Sequence, residues 1–205
     1  MKRSFCLVLL LLCFVSAACA QPLRVGFRAG ATLTDYAVRD TKFSAATLSS
    51  GHARAGFETA LVARVAIVGK MHLQGEFEYN RTGYEFSLRS QSGARQNVMI
   101  YANRIEIPVF LGFNAGPIHL LFGPAFRISH SERSTSPQLL KVGFNNSDIS
   151  LTGGLGLGLR HFFLEARVTG YPRSSVHNTM TVSGERRDIA VTRQLRWSLS
   201  AGFLF

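Results

Sequence analysis

The stretch RWSLSAGFLF, from Arg196 to Phe205, alternates between two kinds of side chain in steps of two residues. One face of an extended chain would carry the apolar residues Trp197, Leu199, Ala201, Phe203 and Phe205. The other face would carry Arg196, Ser198, Ser200, Gly202 and Leu204, which are mostly polar or small. This pattern predicts a β-strand with one apolar and one polar face, at the point where a soluble domain usually carries a polar tail.

The same alternation recurs along the chain after residue 20, whereas no window of helical length carries an apolar stripe of period 3.6. The pattern therefore predicts an all-β protein with antiparallel strands. The eight alternating segments are residues 23–33, 52–63, 71–80, 101–111, 118–129, 150–159, 162–169 and 196–205.

The connections between these segments alternate between long and short, which is typical of a membrane barrel. The long ones are 34–51, 86–97, 130–147 and 171–190, and the short ones are 64–70, 114–117 and 160–161. In a soluble sandwich the apolar faces would instead form the core. We predict an eight-stranded antiparallel up-and-down transmembrane β-barrel in which these long connections are extracellular loops.

Aromatic residues near the ends of segments favour the same fold. Tyr79, Tyr84, Tyr101, Trp197 and Phe205 would form an interfacial girdle on the outside of the barrel. The alternative is that these rings belong to the core of a sandwich.

The N-terminus predicts export. Lys2 and Arg3 precede an apolar run that ends near Ala18-Cys19-Ala20, as in a signal peptide that is cleaved after residue 20. A lipoprotein signal at Cys19 is the alternative. We expect residues 21–205 to form one barrel domain without any cysteine, and we place this domain in the bacterial outer membrane.

The formal net charge of +11 does not predict nucleic-acid binding, because the cationic residues are scattered along strand-like segments. Outer-membrane lipid and lipopolysaccharide are the expected neighbours.

Several short motifs are similar to the PorT-like outer-membrane β-barrel family of Bacteroidetes. They are VGFRAGATLT (25–34), LQGEFEYNRTGYEF (73–86), ANRIEIPVFLGF (102–113), LLFGPAF (120–126), GGLGLGLR (153–160) and FLEARVTGY (163–171). The resemblance implies a small outer-membrane barrel and leaves the activity open. The founding member is associated with protein secretion, and barrel motifs alone do not transfer that role.

The polar faces of the predicted strands combine arginine with glutamate. An eight-stranded barrel is only wide enough to be filled by its side chains, so we predict an interior ion-pair network. Its members are Arg24, Arg28, Arg54, Glu58, Glu76, Glu78, Arg104, Glu106, Arg127, Glu165, Arg167 and Arg196. The alternative function for these charges is a narrow channel for ions or small solutes.

Two further sets of residues point to partners. Trp197, Leu199, Phe203 and Phe205 resemble the C-terminal signal by which the barrel-assembly machinery recognises outer-membrane proteins. A basic loop with Arg173, Arg186 and Arg187 could contact lipopolysaccharide phosphates or another envelope protein, or could simply be solvated.

We predict a structural or interaction protein without a cofactor, a metal site or a catalytic residue. The six histidines show no metal-ligand spacing. An enzyme would have to use Ser129-His130-Ser131-Glu132 or His177, which match no hydrolase motif.

Overall fold

The computed structural model describes residues 23–136, 140–145, 149–171 and 177–205, so the predicted signal peptide lies outside the described residues. These residues contain no helix long and apolar enough to cross a membrane. Their strands are β1 (Leu23–Val38), β2 (Thr41–Lys42), β3 (Ala46–Ser50), β4 (Arg54–Ala66), β5 (Met71–Ser90), β6 (Arg95–Ala115), β7 (Ile118–Ser134), β8 (Leu140–Asn145), β9 (Ile149–Leu159), β10 (Phe162–Gly170), β11 (His177–Val182) and β12 (Glu185–Leu204).

Eight of these strands close into a ring in the order β1, β4, β5, β6, β7, β9, β10 and β12. The ring closes because β12 pairs antiparallel with β1, for example at Phe27 opposite Phe203. The remaining short strands β2, β3, β8 and β11 extend the sheet at one end of the ring. The predicted all-β antiparallel barrel is confirmed.

The outer surface of the ring is apolar over a belt that we call the lipid band. On β1 this belt runs from Leu23 to Leu33, which matches the roughly 9–11 tilted residues that a transmembrane strand needs. Its exposed members on other strands include Leu61, Phe77, Leu111, Phe122, Leu155, Phe162, Trp197 and Leu199. Exposed apolar side chains in this number are the surface that lipid requires.

The two ends of the barrel differ. At the short-turn end the strands join through tight connections, including residues 160–161 between β9 and β10. At the long-hairpin end the strands continue beyond the lipid band, and the hairpin between β5 and β6 reaches Ser90 and Arg95. Most of the residues that we predicted as long loops, where described, are therefore β-strand, and that prediction was wrong.

The reason lies in a change of polarity along the same strands. On β5 the inward positions begin with His72, Gln74 and Glu76 and end with Phe86 and Leu88, all of them buried. Beyond the lipid band the outward positions are polar instead, as at the exposed Arg81 and Asn97. When a strand passes from lipid into water, its apolar residues move from the outer face to the inner face. The strand itself continues without a break in the backbone.

Inside the long-hairpin end the buried apolar side chains form one cluster, which we call the upper core. Its members are Tyr36, Val38, Phe43, Leu48, Tyr84, Phe86, Leu88, Val98, Ile100, Ala102, Leu140, Met180, Val182 and Ile189. The Tyr36 ring packs edge-on against Tyr84 and Phe86, with centroid distances of 5.1 and 5.7 Å. The upper core therefore holds the hairpins together as a packed extension of the barrel.

The aromatic girdle needs one correction. Tyr79 and Tyr101 are partly exposed and Trp197 is 53% exposed, as an interfacial belt requires. Tyr84, however, is only 2% exposed and points inward. Tyr84 lies on the inward-facing side of β5. We assigned it to the outer surface because its aromatic ring is largely apolar.

Candidate functional site

The interior of the barrel contains a continuous set of ion pairs, which we call the charge network. At its centre Arg28 of β1 contacts three carboxylates from two neighbouring strands. Its guanidinium pairs with Glu58 of β4, and on β5 with Glu76 at 2.9 Å and Glu78 at 2.5 Å. The Arg28 side chain is completely buried, so these pairs form without solvent screening.

Arg167 of β10 binds the opposite side of the same network. Its Nη2 lies 2.6 Å from Oε1 of Glu76, and its Nε donates to Glu165 at 2.9 Å. Gln74 also donates to Glu76 at 2.6 Å. The guanidinium stacks over Phe110, 4.8 Å from the ring centroid, which fixes its plane.

Arg196 of β12 extends the network towards the long-hairpin end. Its Nη2 lies 2.9 Å from Glu106 and 3.2 Å from Glu78. Asn80 donates to both carboxylates at 3.1 Å. Two glutamates thus share one arginine and one amide across the barrel interior.

Arg104 closes the network at the base of the upper core. Its two terminal nitrogens donate to the hydroxyl groups of Tyr84 at 2.6 Å and Tyr171 at 2.7 Å. The Tyr84 ring belongs to the upper core, and its hydroxyl group accepts from the charged guanidinium. The contact between Arg104 and Tyr84 therefore joins the polar and apolar halves of the interior.

The residues that we assign to the network are five arginines and five glutamates. Its five arginines are Arg28, Arg64, Arg104, Arg167 and Arg196, and its five glutamates are Glu58, Glu76, Glu78, Glu106 and Glu165. Since every carboxylate is engaged by nitrogen donors or lies beside a buried guanidinium, the arrangement is suited to filling and locking the lumen.

Nine of the twelve predicted interior charges are at most 4% exposed within this network: Arg28, Glu58, Glu76, Glu78, Arg104, Glu106, Glu165, Arg167 and Arg196. Of the other three, two lie at the ends of the barrel, and Arg127 lies beside the network. Arg24 lies at the short-turn mouth and donates to the Arg160 carbonyl at 2.8 Å. Arg54 pairs with Glu85 at the long-hairpin end at 2.7 Å, and the half-buried Arg127 lies opposite Glu106 beside a register shift.

Sequence reasoning missed one member of the network. Arg64 donates to Gln74 at 2.7 Å and to Glu165 at 3.3 Å, but we predicted it to lie in a turn. The two-residue phase that runs from Glu58 through Ala60 and Val62 to Arg64 was the available signal.

The predicted insertion residues lie on the outer face of β12. Phe203 stacks on Phe27 at a centroid distance of 6.4 Å and meets Phe205 edge-on at 5.1 Å. Trp197 and Leu199 are exposed on the same face. These side chains form one apolar surface across the β1–β12 seam.

In its described part, the predicted basic loop is a β-hairpin. The assignment of two of its arginines to a loop is therefore corrected. Arg186 and Arg187 belong to β12, and Arg173 lies outside the described residues. Arg187 pairs with Glu185 at 2.5 Å and lies over the Phe43 ring at 5.7 Å. The Ser44 amide donates to Glu185 at 2.7 Å and lowers the pKa of this carboxyl, which lies outside the lipid band.

The possible catalytic stretch from Ser129 to Glu132 lies on β7. His130 Nε2 is 2.6 Å from Glu132 Oε1, within an exposed part of the strand. The side chain of His177 is outside the described part of the chain. No group of three or more potential metal ligands occurs in the regions that the structure describes.

The profile of the family described as "Outer membrane protein beta-barrel domain" matches residues 19–170. The chain belongs to this family. Membership of this family places the chain in the outer membrane, where the short turns of such barrels face the periplasm.

Two solved structures are similar in fold. Ail, the attachment invasion locus protein of Yersinia pestis, solved with the heparin analogue sucrose octasulfate, is 15% identical with a TM-score of 0.44, over 89% of this chain and 99% of Ail. Neisserial surface protein A is 13% identical with a TM-score of 0.40, over 88% of this chain and 95% of its own. No curated protein matches the chain.

Proposed function

We propose that this outer membrane protein beta-barrel domain is a closed, non-conducting barrel that presents its long-hairpin end as a rigid platform for interaction. The observation that carries the proposal is the charge network, in which Arg28, Arg167 and Arg196 connect β1, β5, β6, β10 and β12 across the barrel interior. The upper core continues the packing beyond the lipid band. A lumen filled in this way leaves no continuous column of water for ions.

Conductance tests this proposal directly. The protein, folded in detergent, is first compared heated and unheated by gel mobility and is then added to planar lipid bilayers. We expect a heat-modifiable band and no steady single-channel current. A steady current from a heat-modifiable sample would replace this proposal with the narrow channel.

The proposal includes contact between the hairpin at Arg186 and Arg187 and the phosphates of lipopolysaccharide. Both residues are exposed and lie at the end opposite the periplasm. The double variant Arg186→Gln, Arg187→Gln should weaken binding of lipopolysaccharide to the detergent-folded protein. Lys70→Gln, an exposed cation in a short turn, is the matched control, and equal binding by both variants would contradict the contact.

The proposal also extends to membrane assembly. The outward face of Trp197, Leu199, Phe203 and Phe205 supports recognition by the barrel-assembly machinery. Phe203→Ser combined with Phe205→Ser should reduce the folded fraction in cells more than Leu61→Ser, a lipid-facing control on β4. Equal folded fractions of the double variant and of Leu61→Ser would remove this part of the proposal.

Within the family, we assign the chain to the PorT-like proteins on the motifs around Glu106-Ile107-Pro108 and Gly123-Pro124. The secretion role of the founding member is not carried over on these motifs; the proposed partner is another envelope protein, and no catalytic step is involved. The proposed signal peptide predicts Gln21 as the first residue of the mature protein. N-terminal sequencing of the outer-membrane form tests that cleavage, and a sequence starting at Met1 would contradict it.

A further inference from the structure

A cavity of about 350 Å³ opens at the short-turn mouth of the barrel, below the charge network. Arginine and histidine side chains from separate strands and turns converge on it. These are Arg24, Arg64, His72, His119, Arg160 and His161. Its lining includes three arginines and no aspartate or glutamate among the described residues, so its surface is suited to an anion.

His72 and His119 are the two buried histidines of this lining, and His72 is the one without a partner. The residue is 2% exposed, and neither ring nitrogen has a hydrogen-bond partner in the described part of the protein. A buried polar ring without a partner is costly, and the ring lines the cavity. Nε2 lies over Gly112, where an added Cβ would come within 2.1 Å of it, and the lack of any partner for either nitrogen leaves the ring to be completed by a ligand.

The neighbouring groups are held in place by contacts behind the cavity. His119 Nε2 lies 2.9 Å from Glu165 Oε1, and the Arg64 guanidinium lies 5.4 Å from the centre of the Phe163 ring. The His72 and His119 rings are 6.4 Å apart. The donors are therefore positioned before any ligand arrives.

Arg160 supplies an independent observation. It occupies the tight turn between β9 and β10 with φ of 59°, in the left-handed region that favours glycine. Its carbonyl oxygen accepts the hydrogen bond from Arg24, which any residue could provide. Arg160 lines the cavity from this turn, so the turn adds a cationic residue to the mouth of the barrel.

We propose that this cavity is a binding site for a phosphate group at the periplasmic mouth. Donors approach from β1, from β4 and β5, and from the β9–β10 turn, and phosphate oxygens can accept from several directions at once. A metal ion is disfavoured because three arginines share this lining with the two buried histidines. The phosphate belongs either to a soluble anion or to a phospholipid headgroup of the periplasmic leaflet.

Histidine ring signals in NMR spectra test the site on the intact barrel. In the first arm, sodium phosphate is titrated into protein in a non-ionic detergent, against sodium chloride at equal ionic strength. In the second arm, the protein is placed in phosphatidylcholine nanodiscs with and without phosphatidylglycerol. We expect saturable shifts of His72 and His119 in at least one arm, and the responding arm identifies the source.

Two variants separate binding from folding. Arg160→Gly relieves the turn and keeps the Arg24 contact, so it should leave the fold intact and weaken binding about tenfold. Ser183→Gly, at φ of 49° in the hairpin at the opposite end, is the matched control and should bind as the parent does. Silence in both arms, or unchanged binding by Arg160→Gly, would overturn the site.

Discussion

Single residues decide how the interior charges are tolerated. Glu106 is 1% exposed, and its carboxylate accepts from Arg196 at 2.9 Å and from Asn80 at 3.1 Å. Such a carboxylate compensates a buried guanidinium that would otherwise remain charged without a partner. Glu106 therefore stabilises the barrel mainly by compensating this buried positive charge, and less through the attraction within one isolated ion pair.

Removal of the carboxylate should therefore destabilise the barrel. We expect Glu106→Ala to lower the free energy of unfolding by about 3–5 kcal/mol, because Arg196 loses a buried counter-charge. Urea unfolding of the folded protein in lipid vesicles measures this change. Asp40→Ala, at an exposed position, is the control and should stay within about 0.5 kcal/mol of the parent. An equally small effect of Glu106→Ala would show that the pair is dispensable.

At the scale of elements, the β1–β12 seam is the pairing that turns a sheet into a barrel. Gly26 stands opposite Leu204 in this seam, and a Cβ at Gly26 would lie 1.8 Å from the Phe203 carbonyl oxygen. Since that oxygen is backbone, the clash cannot be relieved by a rotamer change. Glycine at this position permits the close approach that ring closure needs.

Gly26→Ala should weaken ring closure. We expect a smaller heat-modifiable fraction and a lower urea midpoint, because the last strand must shift away from the first. Gly75→Ala on β5 is the matched control, since a Cβ there would meet nothing within 4 Å. If both variants fold to the same extent, the seam has more freedom than its geometry indicates.

At the scale of the whole molecule, the barrel consists of two zones with opposite interiors. The charge network fills the zone inside the lipid band, and the upper core fills the zone beyond it. Within the lipid band, the barrel is surrounded by lipid and its charged side chains point inward. Beyond the band, it is surrounded by water and its apolar side chains point inward. The two zones should therefore respond separately to mutation.

Phe86→Ala tests this separation. Its fully buried ring belongs to the upper core, and its loss should destabilise that zone by about 3–5 kcal/mol. Trypsin should then cut faster at Arg89 and Arg95 while the lipid-band barrel stays heat-modifiable. Phe77→Ala, lipid-facing on the same strand, should leave the cutting rate unchanged. Simultaneous loss of both properties in Phe86→Ala would mean that the zones unfold as one unit.

The sequence by itself determined the strands of the lipid band and the inward phase of most charges. A two-residue period is a local property, so Arg28, Glu76 and Arg167 could be assigned to one face without knowledge of their partners. The same local rule failed where the surroundings changed from lipid to water. There Tyr84 and Phe86 remained on the inward phase although their side chains are apolar.

Only the tertiary structure decided which charges meet. Arg167 and Glu76 are 91 residues apart in sequence, and their contact depends on the shear and tilt of the closed ring. The same geometry turned Arg24 towards the mouth beside Arg160, and Arg54 towards Glu85. Alternation determines the face on which a side chain lies. Its height in the barrel and its partners depend on strand register, which is a relation between two paired strands and cannot be deduced from one of them.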